Sequence, residues 1–289
     1  MKYLLVFCLL ISSLSAFSAR VTNDEVARGS TAFVELHATP HIKYLDIVFD
    51  KKKFSIFKHP LKKGYYFALV PISYYERVGS KKMEVEYLNV GKRREHSLRL
   101  DVLAGAYKKE QIKVSSKKVN PKATSVKKRI AKEYKEAMQI YNTVDKKSYI
   151  SKKFILPLES NITSPFGTAR VYNNSLKGYH SGTDFHAKMG TPIKAANDGR
   201  VVLARKRFYS GGTVIIDHGE GIYTCYFHLS SFKVKKGALV KRSEIIALSG
   251  KSGRVTGPHL HFSARIDGVQ VDPLQLITLL NNNLLKGKK

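Results

Sequence analysis

Short runs of alternating apolar and polar residues, cut every few positions by turn residues, constrain this chain more than any other feature. A strand turns successive side chains to opposite faces, so a period of two with frequent turns specifies small antiparallel sheets. "MEVEYL" shows the period, with Met83, Val85 and Tyr87 alternating with Glu84 and Glu86. From about residue 30 to 103 the runs "STAFVELHA", "YLDIVFD", "KKFSIFKH", "GYYFALVPIS", "KKMEVEYLNV" and "HSLRLDVL" follow one another. That spacing predicts a small immunoglobulin-like β-sandwich over residues 20–105. Its histidines, His37, His41, His59 and His96, share no ligand spacing, and surface or packing roles are expected of them.

A second β-rich stretch, richer in glycine, occupies residues 153–289. "GRVVLARK", "GGTVIIDHG", "GIYTCYFHLS", "EIIALSGKSG" and "PHLHFSARIDG" are separated by glycine turns, and Asp267-Gly268 is a hairpin pair. Between the two stretches, residues 106–152 shift to Lys, Ser and Asn. Val126, Ile130, Tyr134, Met138 and Tyr141 recur there every three or four positions, which predicts one helix with Ser125 as its N-cap, just after Pro121. This basic helical linker presents a lysine-rich face that reads first as a solvated surface and second as a contact for a wall polymer. The fold class expected is therefore mainly β, with two β domains joined by a helical linker.

The chain has 289 residues and is 43% hydrophobic, enough for two folded cores. Its first residues, "MKYLLVFCLLISSLSAFSA", combine a positive start, a short apolar run and small residues, the pattern of a signal peptide over 1–18 cleaved near Ser18 or Ala19. No later segment approaches the roughly twenty apolar residues that a membrane span needs, so stable membrane insertion is not expected. Cleavage would remove Cys8 and leave Cys225 alone, which excludes an internal disulfide. The formal charge of +29, from 51 Lys and Arg against 22 Asp and Glu, predicts attraction to a polyanion. Export to the periplasm argues against nucleic acid and leaves anionic wall contacts as the natural partner.

Six of the ten histidines fall in the last domain. In "GYHSGTDFHAKMGTP", His180, Gly182 and Asp184 are spaced by two, so on an extended segment imidazole and carboxylate face one side with an open position between them. Such a donor set suits zinc, and a catalytic zinc keeps three protein ligands beside an open position. His259 and His261 in "GPHLHF" also share one strand face, so one can bind a metal while the other stays free for proton transfer. His228 in "YFHLS" stands at a strand end. His186 exceeds the usual ligand count, and His218 in "IIDHG" reads as a turn or packing residue. No H-E-x-x-H helix is present, which excludes the helical zincin arrangement.

"HSGTD", "YFHLS", "SGKSGRVTGPHLHF" and "VDP" together resemble the lysostaphin-type, or LytM-type, zinc metallopeptidases that cut peptide cross-links in peptidoglycan. The resemblance covers about residues 153–278 and implies a β-rich domain with an antiparallel sheet and a narrow groove. Matched position by position, it implies His180, Asp184 and His261 as ligands of Zn2+ and His228 and His259 as the catalytic pair, with their roles unassigned. Tyr172 matches a groove tyrosine, and Arg170 a position near the site that could equally be an ion-pair partner; Tyr179 could also reach substrate. The implied activity is a periplasmic endopeptidase acting on the D-alanyl to meso-diaminopimelate cross-link of stem peptides, in a layout similar to cell-shape peptidases of curved and helical bacteria. D,D-carboxypeptidase trimming of pentapeptides and non-catalytic activation of other hydrolases are the alternatives. The region before the catalytic domain is expected to shape or partly occlude the groove.

Overall fold

The computed structural model describes residues 17–38, 40–112, 121–172 and 176–287. Most of the expected leader lies outside these residues. Its last two positions, Phe17 and Ser18, pair with Ala38 and His37 at the start of strand Phe17–Val21.

The N-terminal strands form a sandwich of two sheets. One runs Phe17–Val21, Thr31–Ala38, Tyr65–Pro71, Phe57–Lys58; the other runs Glu25–Ala27, Lys92–Leu103, Gly79–Asn89, Ile42–Phe49, Lys52–Ser55. Pairing is antiparallel except between Glu25–Ala27 and Lys92–Leu103, which run parallel. Strand Thr31–Ala38 is buried on both faces rather than one. Ala32, Val34 and Leu36 enter the sandwich core, whereas Phe33, with Phe67 and Leu69, joins the core of the C-terminal domain. One hydrophobic core therefore runs across the domain boundary, and burial at this scale is what fixes two domains against each other.

Polar contacts pin the same boundary. The Thr31 N–H donates to Gln275 Oε1 at 3.0 Å while Gln275 Nε2 donates back to the Thr31 carbonyl at 3.0 Å. The Asp272 N–H donates to the Gly29 carbonyl at 2.7 Å. His59 donates from Nε2 to the Asn283 carbonyl at 3.2 Å and accepts at Nδ1 from the Leu61 and Lys62 amides, a packing role.

The C-terminal domain is built on an antiparallel sheet ordered Ile162–Ser164, Thr183–His186, His259–Ile266, Ile222–Leu229, Gly211–Asp217, Gly199–Arg207, Leu239–Val240, with Val269–Val271 also paired to His259–Ile266. In strand His259–Ile266, Leu260, Phe262, Ala264 and Ile266 point into the core and His259, His261, Ser263 and Arg265 point out. Helix Pro273–Asn283 closes the core, its N-cap Asp272 accepting from the Leu274 and Gln275 amides.

The expected linker is part of the fold. Strand Lys109–Ile112 pairs parallel with Ala169–Tyr172, which pairs in turn with Leu176–Tyr179. Tyr107, just before it, fills the space above Gly167, where a Cβ would collide with its ring. Helix Thr124–Tyr141 starts two residues earlier than its sequence signal: Ala123 is the N-cap and offers no side-chain cap, and Ser125 lies inside the first turn. The helix lies on the outward face of the large sheet, where Ala137 and Tyr141 bury against Tyr223 and Cys225. It covers only one end of that face, so Tyr134, expected in the apolar stripe, stays 66% exposed.

Candidate active site

The outward face of the sheet carries the site. Strand register sets Asp184 directly opposite His261, and His186 opposite His259. His180 reaches the same point from the segment just before strand Thr183–His186. Its Nε2 lies 3.0 Å from Asp184 Oδ1 and 3.0 Å from His261 Nδ1, and His261 Nδ1 lies 2.8 Å from Asp184 Oδ1. Gly182 is required at its place: an added Cβ would stand 2.5 Å from the Phe262 carbonyl and 2.6 Å from His261 Nε2.

Hydrogen bonding decides what these three atoms are. His180 donates from Nδ1 to the Pro165 carbonyl at 2.9 Å, so in the neutral ring Nε2 is an acceptor. It is aimed at a carboxylate oxygen, which only accepts. Acceptors converge in this way around a cation, and a ligating histidine typically gives its other N–H to a backbone carbonyl. Among the described residues His180, Asp184 and His261 are the one group of this kind that could hold a metal ion, and all three are buried. Two imidazoles and one carboxylate fit zinc. Burial raises the Asp184 carboxyl, but the imidazoles of His180 and His261 packed against it outweigh burial and hold the group well below its ordinary range. Burial lowers His261 below its ordinary value, against the opposing pull of Asp184.

Two further histidines flank the triangle. His259 donates from Nδ1 to the Gly257 carbonyl at 3.0 Å, which turns Nε2 inward to 3.7 Å from Asp184 Oδ1. His228 donates from Nδ1 to the Ser252 carbonyl at 2.8 Å, and its ring lies 4.8 Å from that of His259. Strict alternation would send His228 away from Phe227 and into the core. Instead the pairing with Gly211–Asp217 shifts register there and His228 takes φ +62°, a β-bulge that brings both residues into the cleft. Phe227 then stacks on the His261 ring at 5.3 Å and 14°. Burial, then the positive charge of His261 and His259, pushes the His228 imidazole down to about 3.

Arg170 lies beside the triangle. It donates from Nη2 to Ser164 Oγ at 2.9 Å and to Asp184 Oδ2 at 3.4 Å, while Nε faces Glu110 at 3.4 Å. It is thus tied to the carboxylate that faces the metal position, and the linker supplies its second carboxylate partner. Tyr172 ends strand Ala169–Tyr172; its side chain lies outside what the structure describes. His186 is exposed on the cleft wall and stands apart from the metal-holding group. His218 is buried with both nitrogens bonded inside the scaffold.

The cleft over these groups has a volume of about 650 Å3 and includes Glu110 and Gln111 from the linker as well as Arg254 and the 255–258 segment. Sequence reading missed Glu110, Ser164 and Phe227, because their roles depend on strand pairing that no local pattern records.

Residues 178–273 match the model of peptidase family M23. This segment is an M23 peptidase domain. It is similar to peptidoglycan DD-endopeptidase ShyA of Vibrio cholerae, 47% identical over 122 residues that make up 41% of this chain and 28% of the relative. It is also similar to DD-carboxypeptidase/endopeptidase Mpg of Neisseria meningitidis, 38% identical over 117 residues, 40% of this chain and 27% of the relative. The matches thus span only about a quarter of those relatives' lengths. A solved Pseudomonas aeruginosa protein described as an M23 peptidase is 26% identical, with a TM-score of 0.65, over 87% of this chain and 94% of its own. The M23 domain contains all five histidine and aspartate positions of the site, whereas Glu110, Ser164 and Arg170 precede the matched segment.

Proposed function

We propose that this chain is a zinc metallopeptidase that hydrolyses the D-alanyl to meso-diaminopimelate cross-link of peptidoglycan. The observation that carries the reading is the convergence of three metal-donor atoms beside two histidines whose Nδ1 atoms are tied to backbone carbonyls. His180, Asp184 and His261 would hold a zinc ion, which when bound would supply Lewis acidity to lower the pKa of water and polarise a carbonyl oxygen.

The chain's own residues supply the rest. With Nδ1–H fixed on Gly257 and Ser252, His259 and His228 each present Nε2 to the cleft, one to accept the proton of the attacking water and one to donate to the leaving amine or the oxyanion. Phe227 holds the plane of the His261 ring, and Arg170 holds the second oxygen of Asp184. The cleft, about 650 Å3 in volume, has room for a peptide segment.

The similarity to ShyA supports endopeptidase action, and that to Mpg supports D,D-carboxypeptidase trimming as a second activity of the same site. A non-catalytic activator role would leave the complete donor set unexplained. We further infer export to the periplasm from the leader, wall remodelling that affects cell shape, and contact of the basic surface with anionic wall polymers. No helix among the described residues is long and apolar enough to cross a membrane.

The test is metal analysis of the purified protein followed by incubation with cross-linked muropeptide dimers and pentapeptide monomers. Conversion of dimers to monomers is expected, with loss of terminal D-alanine if the second activity is present. Bound zinc with both substrates intact would overturn the reading.

A further inference from the structure

An exposed tyrosine is ordinary when it stands alone. Tyr75 is 72% exposed, yet it does not stand alone. It lies in the turn after strand Tyr65–Pro71, with its ring 5.4 Å and 88° from Tyr74 and 5.5 Å and 83° from Tyr179. Tyr74 and Tyr179 stack on each other at 3.9 Å and 6°, across the domain boundary. Tyr107 and Phe166 back the stack, and the Tyr74 hydroxyl donates to the Gly167 carbonyl at 3.0 Å. The exposed ring is therefore seated against a built aromatic support, so a ligand would find it already ordered.

Tyr179 also lines the cleft and immediately precedes His180. The aromatic ledge and the cleft are thus one continuous surface. We propose that Tyr75 and Tyr179 form a carbohydrate platform that holds the glycan strand of the substrate while its stem peptide lies in the cleft. This rests on the peptidoglycan reading above and adds to it a sugar subsite contributed by the N-terminal domain.

The chemistry matches a sugar rather than another occupant. One face of a pyranose is a patch of C–H groups ringed by hydroxyls, and it lies flat on a neutral aromatic ring. In the same turn the Glu76 carboxylate accepts from Lys81 at 2.8 Å and from the Arg77 amide at 3.0 Å, and the Arg28 guanidinium lies over the Tyr74 ring, 5.9 Å from its centroid. The exposed Tyr75 ring thus offers a flat, uncharged apolar face held in place by its aromatic neighbours, with guanidinium donors close by for sugar hydroxyls. A stem peptide is joined to its glycan by a single linkage, so a peptide bound beside His180 brings its sugars near the ledge.

The test uses the full chain loaded with zinc, as wild type, Tyr75→Ala and Tyr75→Phe. Rates are compared on cross-linked muropeptides that carry their disaccharides and on the same peptides stripped of sugar. Separately, binding of a β-1,4-linked N-acetylglucosamine tetramer is measured by titration. The ratio of kcat/KM on sugar-bearing to sugar-free substrate should fall about fivefold in Tyr75→Ala, through KM, and be retained in Tyr75→Phe. Tetramer binding should weaken by a similar factor. An unchanged ratio together with unchanged tetramer binding would overturn the platform. Hydrolysis of neither substrate by the wild type, with Tyr75-dependent tetramer binding intact, would instead overturn the peptidase reading and leave the platform standing.

Discussion

Strands Gly211–Asp217 and Ile222–Leu229 form one hairpin with a histidine at either end, and the two are used in opposite ways. His218, at the turn, is buried, and burial holds it down at about 4. His228, at the cleft, is also buried and held down at about 3. Neither burial nor charge separates them. Hydrogen-bond valence does.

His218 donates from Nδ1 to the Asp198 carbonyl at 2.7 Å, and its Nε2 accepts from the Thr224 hydroxyl at 2.8 Å. That hydroxyl accepts from Tyr226, 3.0 Å away, whose own oxygen accepts from the Ala196 amide at 2.8 Å. Every proton in the chain has a place, so the ring is inert. Among the described residues His228 bonds the scaffold through Nδ1 alone, and the bulge at φ +62° turns Nε2 into the cleft. A histidine becomes available for chemistry when the fold fixes one nitrogen and leaves the other without a scaffold partner.

The comparison breaks first at the ligands. His261→Ala or His180→Ala should remove bound metal and reduce muropeptide hydrolysis by at least about 10^3-fold. A chelator should do the same to the wild type, with activity returning on zinc addition. Persistent cleavage in a metal-free variant would refute the ligand assignment.

His259→Ala and His228→Ala should lower kcat by about 10^2- to 10^4-fold while metal content stays at the wild-type level. Loss of metal in either would show that the residue is a ligand and not a proton carrier. Arg170→Met should weaken zinc binding by about tenfold in competition with a chromophoric chelator, because Asp184 Oδ2 loses its partner. Equal affinity would make Arg170 a substrate contact instead.

His218→Ala should act on stability. It orphans the Thr224 hydroxyl and the Asp198 carbonyl, at a cost of about 2–3 kcal/mol by denaturant unfolding, while the folded fraction keeps its specific activity. A fall in kcat at full folding would erase the distinction drawn between the two histidines.

An effect confined to high pH concerns Glu220, in the same turn as His218. Burial raises its carboxyl to about 7 from an ordinary 4.5, partly opposed by a hydrogen bond from Ser148. The folded state therefore binds this proton more tightly than the unfolded one. Its stability contribution is full below about pH 4.5 and is lost as pH rises through about 7. Glu220→Gln should stabilise the protein at pH 8 by up to about 3 kcal/mol and have little effect at pH 4. Equal shifts in melting temperature at both pH values would count against the buried, protonated state.

Much of the fold was legible in advance because its signals are local. Period-two alternation set Leu260, Phe262 and Ala264 against His259, His261 and Ser263 without knowledge of any partner strand. The same alternation placed His180, Gly182 and Asp184 on one side. It failed where burial is two-sided, as in Thr31–Ala38, and where a bulge resets the phase, as at His228. The linker was misjudged for a related reason. A four-residue parallel strand and a helix with two buried residues carry too little periodicity to reveal what they pack on.

By itself, then, the sequence determined which side chains share a strand face, and so which donor atoms could meet, because alternation is a property of the extended backbone. Tertiary structure alone decided that Asp184 stands opposite His261, that His228 turns outward, that Glu110 reaches Arg170, and that Tyr75 sits beside Tyr179. Each of these joins residues whose proximity comes from strand register, a bulge or domain docking. Those arise from packing between elements, which no local pattern encodes.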